Sequence, residues 1–432
     1  AFNSNALRII VDHIDGSTTI QDFMDKILRG ALVPSIFDEE KYNDLITKEN
    51  FKWSNELYVL VDLLKEIETN NSDFNIYVMA TSEEKEITVG MLKGLYGVDE
   101  NNEFIIDKSI FVEEMMVSII NKATEGNDFE GVSDDVDSLG VEIKVLTEMM
   151  IDAGIVEDRN DYVVDFANIS NEFDGINLKM LRSICTHIGE SNILRSIINS
   201  KITDFKVNDK EVIDTSNWDA NKYTEEFTVL YEVLEASGKI DEEEKTPFNE
   251  LGNLFSDSIP LTMLEEVSNE VGHSEILQNT MKIALEEQFT NTDFASWSNE
   301  DWTNETKSLY NIINDGELYT IDSEGDKVID LNELTNIDEI KVVSICAFKD
   351  NIKNSSLIQN VMKDNLDSIM GEDYDYSSWN GNKWEDEMTA LYNVSKTISS
   401  INDKGEEVIS FDDFEDMSEI KMTTIEACKD NI

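Results

Sequence analysis

A helical stretch that returns five times constrains this chain more than any other feature. Its last copy is Trp384-Glu-Asp-Glu387-Met-Thr-Ala-Leu391-Tyr392, preceded by Trp302 to Tyr310 around Glu305 and by Tyr223 to Tyr231 around Glu226. Two more divergent copies centre on Glu142 and Glu56, so the five glutamates lie 86, 84, 79 and 82 residues apart. Such a period marks a tandem array, in which no unit buries its apolar face alone and each stacks on its neighbours. The expected fold is all-α with minor β-hairpin scraps, built as an elongated array of about five units of roughly 80 residues.

Apolar residues fall mostly at −3, +1, +4 and +8 from the glutamates, as in Trp53, Leu57, Leu60 and Leu64 around Glu56, with Thr306 and Ser395 as the exceptions. At helical spacing these share one face, so the stretch is an amphipathic helix. Asp135, Asp219, Ser298 and Asn380 each stand seven residues before a glutamate and are expected to cap its helix, whereas Glu49 in the first copy is not. A second anchor is a serine opening another helix: Ser4, Ser109, Ser191, Ser274 and Ser355, which are 105, 82, 83 and 81 residues apart. The periods then run 1–108, 109–190, 191–273, 274–354 and an incomplete 355–432, the first holding an atypical insertion near 16–45. No Gly/Ser-rich or Pro-rich linker separates them, so each serine helix is expected to pack directly into the next period.

Charge narrows the partners. With 92 acidic against 34 basic residues the net charge is −58, which repels nucleic acid and anionic membranes and favours cations and basic surfaces. Hydrophobic residues still make up 40%, in periodic positions, which sets the chain apart from a disordered acidic tail. Cys185, Cys346 and Cys428 occupy similar places in three periods and read as small core residues rather than bridges. The sequence has no apolar run long enough for a membrane span, so no membrane insertion is expected in this segment.

Candidate chemistry is sparse. Asp322-Ser-Glu324-Gly-Asp326-Lys-Val-Ile-Asp330-Leu-Asn-Glu333 resembles a calcium-binding EF-hand loop, but Lys327 stands where the tight turn needs Gly. The preferred reading is an acidic hairpin with a helix cap, and calcium held by Asp322, Glu324, Asp326, Asp330 and Glu333 is the alternative; no other cofactor is expected. Glu56, Glu142, Glu226, Glu305 and Glu387 belong to separate periods, too far apart to face one substrate. A carboxylate at the edge of an apolar stripe needs donors, and a neighbouring helix is the expected source. With Trp302 and Trp384 these glutamates are read as anchors of the repeat core. Trp218, Trp297 and Trp379 form pairs five residues apart with Tyr223, Trp302 and Trp384, expected as junction clamps rather than sugar platforms. The histidines His13, His187 and His273 share no period position, and there is no phosphate-binding Gly loop, HExxH, nucleophile elbow or CxxC. An enzyme is therefore not expected.

The two ends match in phase. Lys429-Asp-Asn-Ile432 repeats Lys349-Asp-Asn-Ile352, which directly precedes a serine helix, and a second identical chain following on would place Ser4 81 residues after Ser355. Ser4, Leu7 and Ile10 of one copy are thus expected to complete the last period of another near Cys428 and Ile432. Such a head-to-tail contact propagates instead of closing. The expected function is a structural subunit or segment of an extracellular bacterial fibre, pilus-like filament or surface array, whose partner is itself. Alternatives are a cell-surface adhesin for a glycan or basic protein, with its tryptophans exposed in a row, and an acidic mimic of nucleic acid.

Overall fold

The computed structural model describes residues 4–33, 37–69, 86–98, 103–123, 138–255, 258–286, 289, 292–329, 339–370, 376, 378–402, 404–410 and 428–429. Helices dominate these residues, and the strands are at most four residues long. Cα packing divides the chain into two compact units, residues 1–203, 215–227 and 242–248 in one, and 204–214, 228–241 and 249–432 in the other.

The glutamate-centred stretches are the long helices α4 (Trp53–Thr69), α7 (Leu139–Asp152), α10 (Ala220–Ser237), α14 (Asn299–Asp315) and α17 (Gly381–Ile398). Caps fix where three of them begin. Asp219 accepts the Lys222 N–H at 2.9 Å, Asn380 accepts the Lys383 N–H at 3.1 Å, and Ser298 exchanges bonds with Asp301 in a full capping box. For α7 the cap is Ser138, which accepts the Val141 N–H at 3.3 Å, in place of the expected Asp135, which lies outside the described residues.

Between these long helices lie shorter ones, each entered from a small strand: α5 (Val89–Leu95) from β1 (Glu86–Thr88), α8 (Leu178–His187) from β3 (Gly175–Ile176), α12 (Leu261–Glu270) from β7 (Ile259–Pro260) and α15 (Val342–Asn351) from β10 (Glu339–Lys341). Every entry strand pairs antiparallel with a strand that follows the next long helix. These partners are β2 (Val163–Asp165), β6 (Thr246–Pro247), β9 (Lys327–Ile329) and β12 (Glu407–Ser410), with Ile87 opposite Val164, Ile176 opposite Thr246, Ile259 opposite Ile329 and Ile340 opposite Ile409. In two of the four ladders Pro247 and Pro260 lack the N–H that a longer pairing would need. Sequence alone suggests local two-stranded scraps, and these are present, as where Thr320–Ile321 pairs with β9; the pairing reaches in addition from one period to the next.

Helix packing follows the same rule. In the first unit α5 lies against both α4 and α7, and α8 against α7; in the second, α14 lies between α12 and α15, and α15 also packs on α17. Each short helix therefore shares its faces between consecutive long ones. Its buried side chains are the periodic apolar residues, as in Ile312, Ile345, Phe348, Ile352, Trp384 and Met388 in the second unit. Burying a side chain of this size contributes about 1.5–3 kcal/mol before entropy is counted.

The start of the chain corrects the phase read from the sequence. Helix α1 (Ser4–Ile14) packs on α4 as α5 packs on α7, with Leu7 buried and Ile10 half-buried in a cluster that includes Leu57, Val61 and Phe111. Residues 16–45, expected as an insertion, hold a regular helix α2 (Thr18–Leu32) capped by Ser17, and α3 (Glu39–Thr47) capped by Asp38. Ser17 rather than Ser4 opens the helix that corresponds to α6 (Ile110–Ala123), α9 (Asn192–Ile202), α13 (Glu275–Glu286) and α16 (Ser356–Met370). The confusion has a local cause: Ser4-Asn-Ala-Leu-Arg8 spells nearly the same residues as Ser191-Asn-Ile-Leu-Arg195.

Candidate assembly site: a glutamate that holds a serine-capped helix

Glu56, Glu142 and Glu305 hold the same bond set. Glu56 accepts the Ser109 hydroxyl at 2.5 Å and the N–H groups of Ile110 and Phe111 at 2.9 and 3.0 Å. Glu142 accepts the Ser191 hydroxyl at 2.6 Å and the N–H groups of Asn192 and Ile193 at 2.8 and 3.3 Å. Glu305 accepts the hydroxyl of Ser355 at 2.5 Å, the N–H groups of Ser356 and Leu357 at 2.6 and 3.1 Å, and the Ser356 hydroxyl at 2.6 Å. The carboxylate thus caps the first turn of a helix some fifty residues further on, where orphan N–H groups and the helix dipole both favour a negative charge. Each serine meanwhile caps its own helix, accepting the N–H of Val112, Leu194 or Ile358 at 3.1, 2.9 and 3.1 Å. Ser274 does the same for Leu277 at 3.1 Å.

Burial makes these bonds count. Glu56, Glu142, Glu226 and Glu305 are 1, 3, 1 and 5% exposed. Burial pushes the Glu56 carboxyl above the ordinary carboxylate range, and the donors from Ser109, Phe111 and Ile110 pull it back only in part, with Glu113 adding to the rise. Glu226 pairs with Lys222, four residues earlier, at 2.5 Å.

Glu387 differs. Its side chain is 40% exposed and pairs with Lys383. Its helix face is open as well: Ala390, Leu391 and Val394 are half-buried, whereas Val145, Leu146 and Met149, or Ser308, Leu309 and Ile312, are buried at the same register. A serine at the usual distance would lie beyond Ile432.

A further element of the motif is invisible to capping rules. Four residues after the serine, a long polar side chain folds back on the loop before the helix: Arg195 donates to the Ile188 carbonyl at 2.9 Å, Gln278 to Val271 at 2.9 Å and Gln359 to Ile352 at 2.9 Å. Gln21 repeats this on the Ile14 carbonyl at 3.0 Å. The spacing of Ser with Gln or Arg four residues later marks Ser17 through Gln21, but it marks Ser4 through Arg8 as well, so the spacing alone does not choose between them.

The residue two before the serine meets the first turn of the next long helix. Asp15 accepts the Ser54 N–H at 3.2 Å, as Asp107 accepts that of Gly140 at 3.0 Å. Later joints achieve closeness with a glycine. A Cβ on Gly189 would sit 2.5 Å from Thr224 Oγ1, and one on Gly272 would sit 2.1 Å from Thr303 Oγ1. At the last joint the glycine has changed sides: Lys353 occupies the loop, and a Cβ on Gly381 would come within 2.2 Å of the Lys353 carbonyl oxygen.

The aromatic pairs cluster beside these joints. Trp218 and Tyr223, Trp297 and Trp302, and Trp379 and Trp384 meet edge-on at centroid distances of 5.2, 4.7 and 4.6 Å. Trp302 and Trp384 are buried; Trp218, Trp297 and Trp379 are half-buried, between the exposed row of an adhesin and a closed core. The cysteines form no disulfide and are half-buried, with Cys185 Sγ donating to the Phe227 carbonyl at 3.0 Å, so they edge the core rather than fill it.

The acidic hairpin between β8 (Thr320–Ile321) and β9 brings Asp322, Glu324 and Asp326 together closely enough to share a cation. Lys239 already fills that role, its ammonium lying 3.3, 2.6 and 3.9 Å from their carboxylates. Asp322 is held below the usual carboxylate range, first by the Asp326 N–H and then by that of Glu324 and by Lys239. Lys327 points to the Tyr319 ring, 4.2 Å away, while Asp330 and Glu333 lie outside the described residues. A second acidic trio, Glu232, Glu266 and Glu270, joins α10 to α12, a neighbourhood that no linear motif announces. Of the expected assembly joint, Leu7 and Ile10 pack on α4, Cys428 is half-buried, and Ile432 and the Ser4 side chain lie outside the described residues. Among the described residues no helix is long and apolar enough to cross a membrane. No family model, curated protein or solved structure matches the chain, so its function is argued from this geometry alone.

Proposed function

We propose that this chain is a structural element of an extracellular bacterial fibre or surface array, built from about five helical periods of roughly 80 residues that join end to end. One observation carries the reading. The contact set of capped serine helix, crossed strand pair and shared short helix recurs from period to period, and the last long helix presents the same glutamate face open. An array built this way has no intrinsic stopping point, because each period offers its successor the surface that its predecessor offered it. The neighbour is either a further stretch of a longer chain or another molecule.

The net charge of −58 sets the conditions for association between molecules, since like-charged copies approach only when salt screens them. Light scattering of the intact chain over rising concentration and ionic strength tests this: mass is expected to grow with both, and a monomer under every condition sinks the reading. The half-burial of Trp218, Trp297 and Trp379 suits joints better than the exposed row a glycan-binding adhesin needs. Their edge-on partners already occupy one side of each ring.

A further inference from the structure

We propose that Glu387 of one copy receives the first turn of α2, opened by Ser17, of a second copy; this rests on the end-to-end reading above and names its contact. The two groups are halves of one recurrent bond set, and among the described residues neither meets its counterpart.

The α2 half is built like its equivalents. The Ser17 N–H donates to Ile14 at 3.1 Å, as that of Ser109 does to Ile106 at 3.0 Å, and Ser17 Oγ accepts the Ile20 N–H at 3.4 Å. Gln21 Nε2 donates to the carbonyls of Ile14 and Asp15 at 3.0 and 3.5 Å, matching Gln359 on Ile352 and Lys353 at 2.9 and 3.4 Å. What α6, α9 and α16 add is a glutamate on the serine hydroxyl and the next two N–H groups. Among the described residues no acceptor meets the N–H groups of Thr18 and Thr19. Beside them Phe23 is 51% exposed and Ile20 half-buried, while at the register of Phe23 Met115, Ile197 and Thr280 are buried and Val361 is half-buried.

The α17 half complements it. Glu387 stands at the register of Glu56, Glu142 and Glu305, with half-buried Leu391 and Val394 beside it to meet Ile20 and Phe23. Its bond to Lys383 does not compete, because Glu226 keeps the same bond to Lys222 with a side chain that is 0% exposed. Charge favours this contact over others: α2 carries two acids and two bases and α17 three acids and two bases, in a chain of net charge −58. Docking leaves the inner face of α2 on its own core, where Met24 and Leu28 are buried. In the same way α6 is held by Glu56 while Phe111 packs among Tyr42, Phe51 and Phe37.

Two single variants and their mixture test the contact by sedimentation velocity. Glu387→Ala removes the acceptor, and Thr18→Pro removes one donor at a position where proline suits a helix start. Each is expected to raise the concentration needed for assembly by about tenfold or more, the effect of one lost charge-assisted bond, with thermal unfolding close to that of the native chain. Mixed together, they retain one intact contact per pair, so dimers form and longer species do not. Variants that assemble like the native chain, or a mixture that assembles no further than either alone, overturn this contact and leave end-to-end assembly standing. A native chain that stays monomeric overturns the assembly reading itself.

Discussion

Glu305 and Glu387 are the same residue of consecutive periods, on helices of similar length with a buried tryptophan three residues earlier. One is sealed under a helix start and the other stands 40% exposed beside a lysine. The difference teaches that the glutamate's role is conferred by what arrives fifty residues later, not by its own helix. Before that arrival it is an ordinary surface acid paired at helical spacing. Afterwards it is a desolvated anion that a helix dipole and three or four donors must hold.

Substitution breaks this comparison most directly. Glu305→Ala leaves the buried Ser355 hydroxyl and Leu357 N–H, and the Ser356 N–H beside them, without their carboxylate acceptor, and is expected to cost about 3 kcal/mol in chemical denaturation. Glu387→Ala loses only a partly exposed ion pair, worth under about 0.5 kcal/mol in the monomer. Equal losses would mean that Glu387 already has a buried partner. The serine side gives a smaller contrast. Ser355→Ala, which removes a cap and a charged bond together, is expected to cost about 2 kcal/mol, against about 1 kcal/mol for Ser17→Ala, where only the cap is lost.

A titration sharpens the buried end of the scale. Because burial raises the Glu56 carboxyl above its value in the unfolded chain, the folded state binds that proton more tightly. Its contribution to stability is therefore full below the unfolded value and declines as pH rises through the folded one. Carboxyl NMR should show Glu56 titrating above the ordinary range; a midpoint at or below that range would mean that its three donors outweigh its desolvation. The smallest effect belongs to the exposed hairpin. Asp322 is held low by backbone N–H groups and Lys239, so Lys239→Met should raise its midpoint while leaving the fold intact, and an unmoved midpoint would show that the backbone donors suffice.

Much of this was legible in the residues. Fivefold periodicity and the stripe around each glutamate announced the long helices, and Ser298 and Asn380 announced their starts. The phase of the first period was not legible, because Ser4-Asn-Ala-Leu-Arg8 satisfies the capping pattern as well as Ser17 does. Only long-range contacts separate the two: Asp15 on Ser54 and Gln21 on Ile14 identify Ser17, while α1 packs as a short helix on α4. Strand pairing between periods was equally hidden, since Val163–Asp165 and Glu86–Thr88 are each too short to signal a partner. The half-buried cysteines had a similar cause, since period position tells which helix a residue rides on but not how far it turns from the core.

The migrating glycine implies something about how such a chain can change. Gly272 accommodates Thr303 on the facing helix, whereas Lys353 is accommodated by Gly381, so these two joints are cut to different keys. Duplicating the fourth period would set a lysine-bearing loop against Asn299 and Thr303, and deleting it would leave Gly272 facing Gly381 across a gap. Unequal recombination is the readiest way for a repeated gene to lengthen or shorten, and here it would yield misfitted junctions. A period count guarded in this way is inherited as a unit, and each joint drifts only when both of its sides change together.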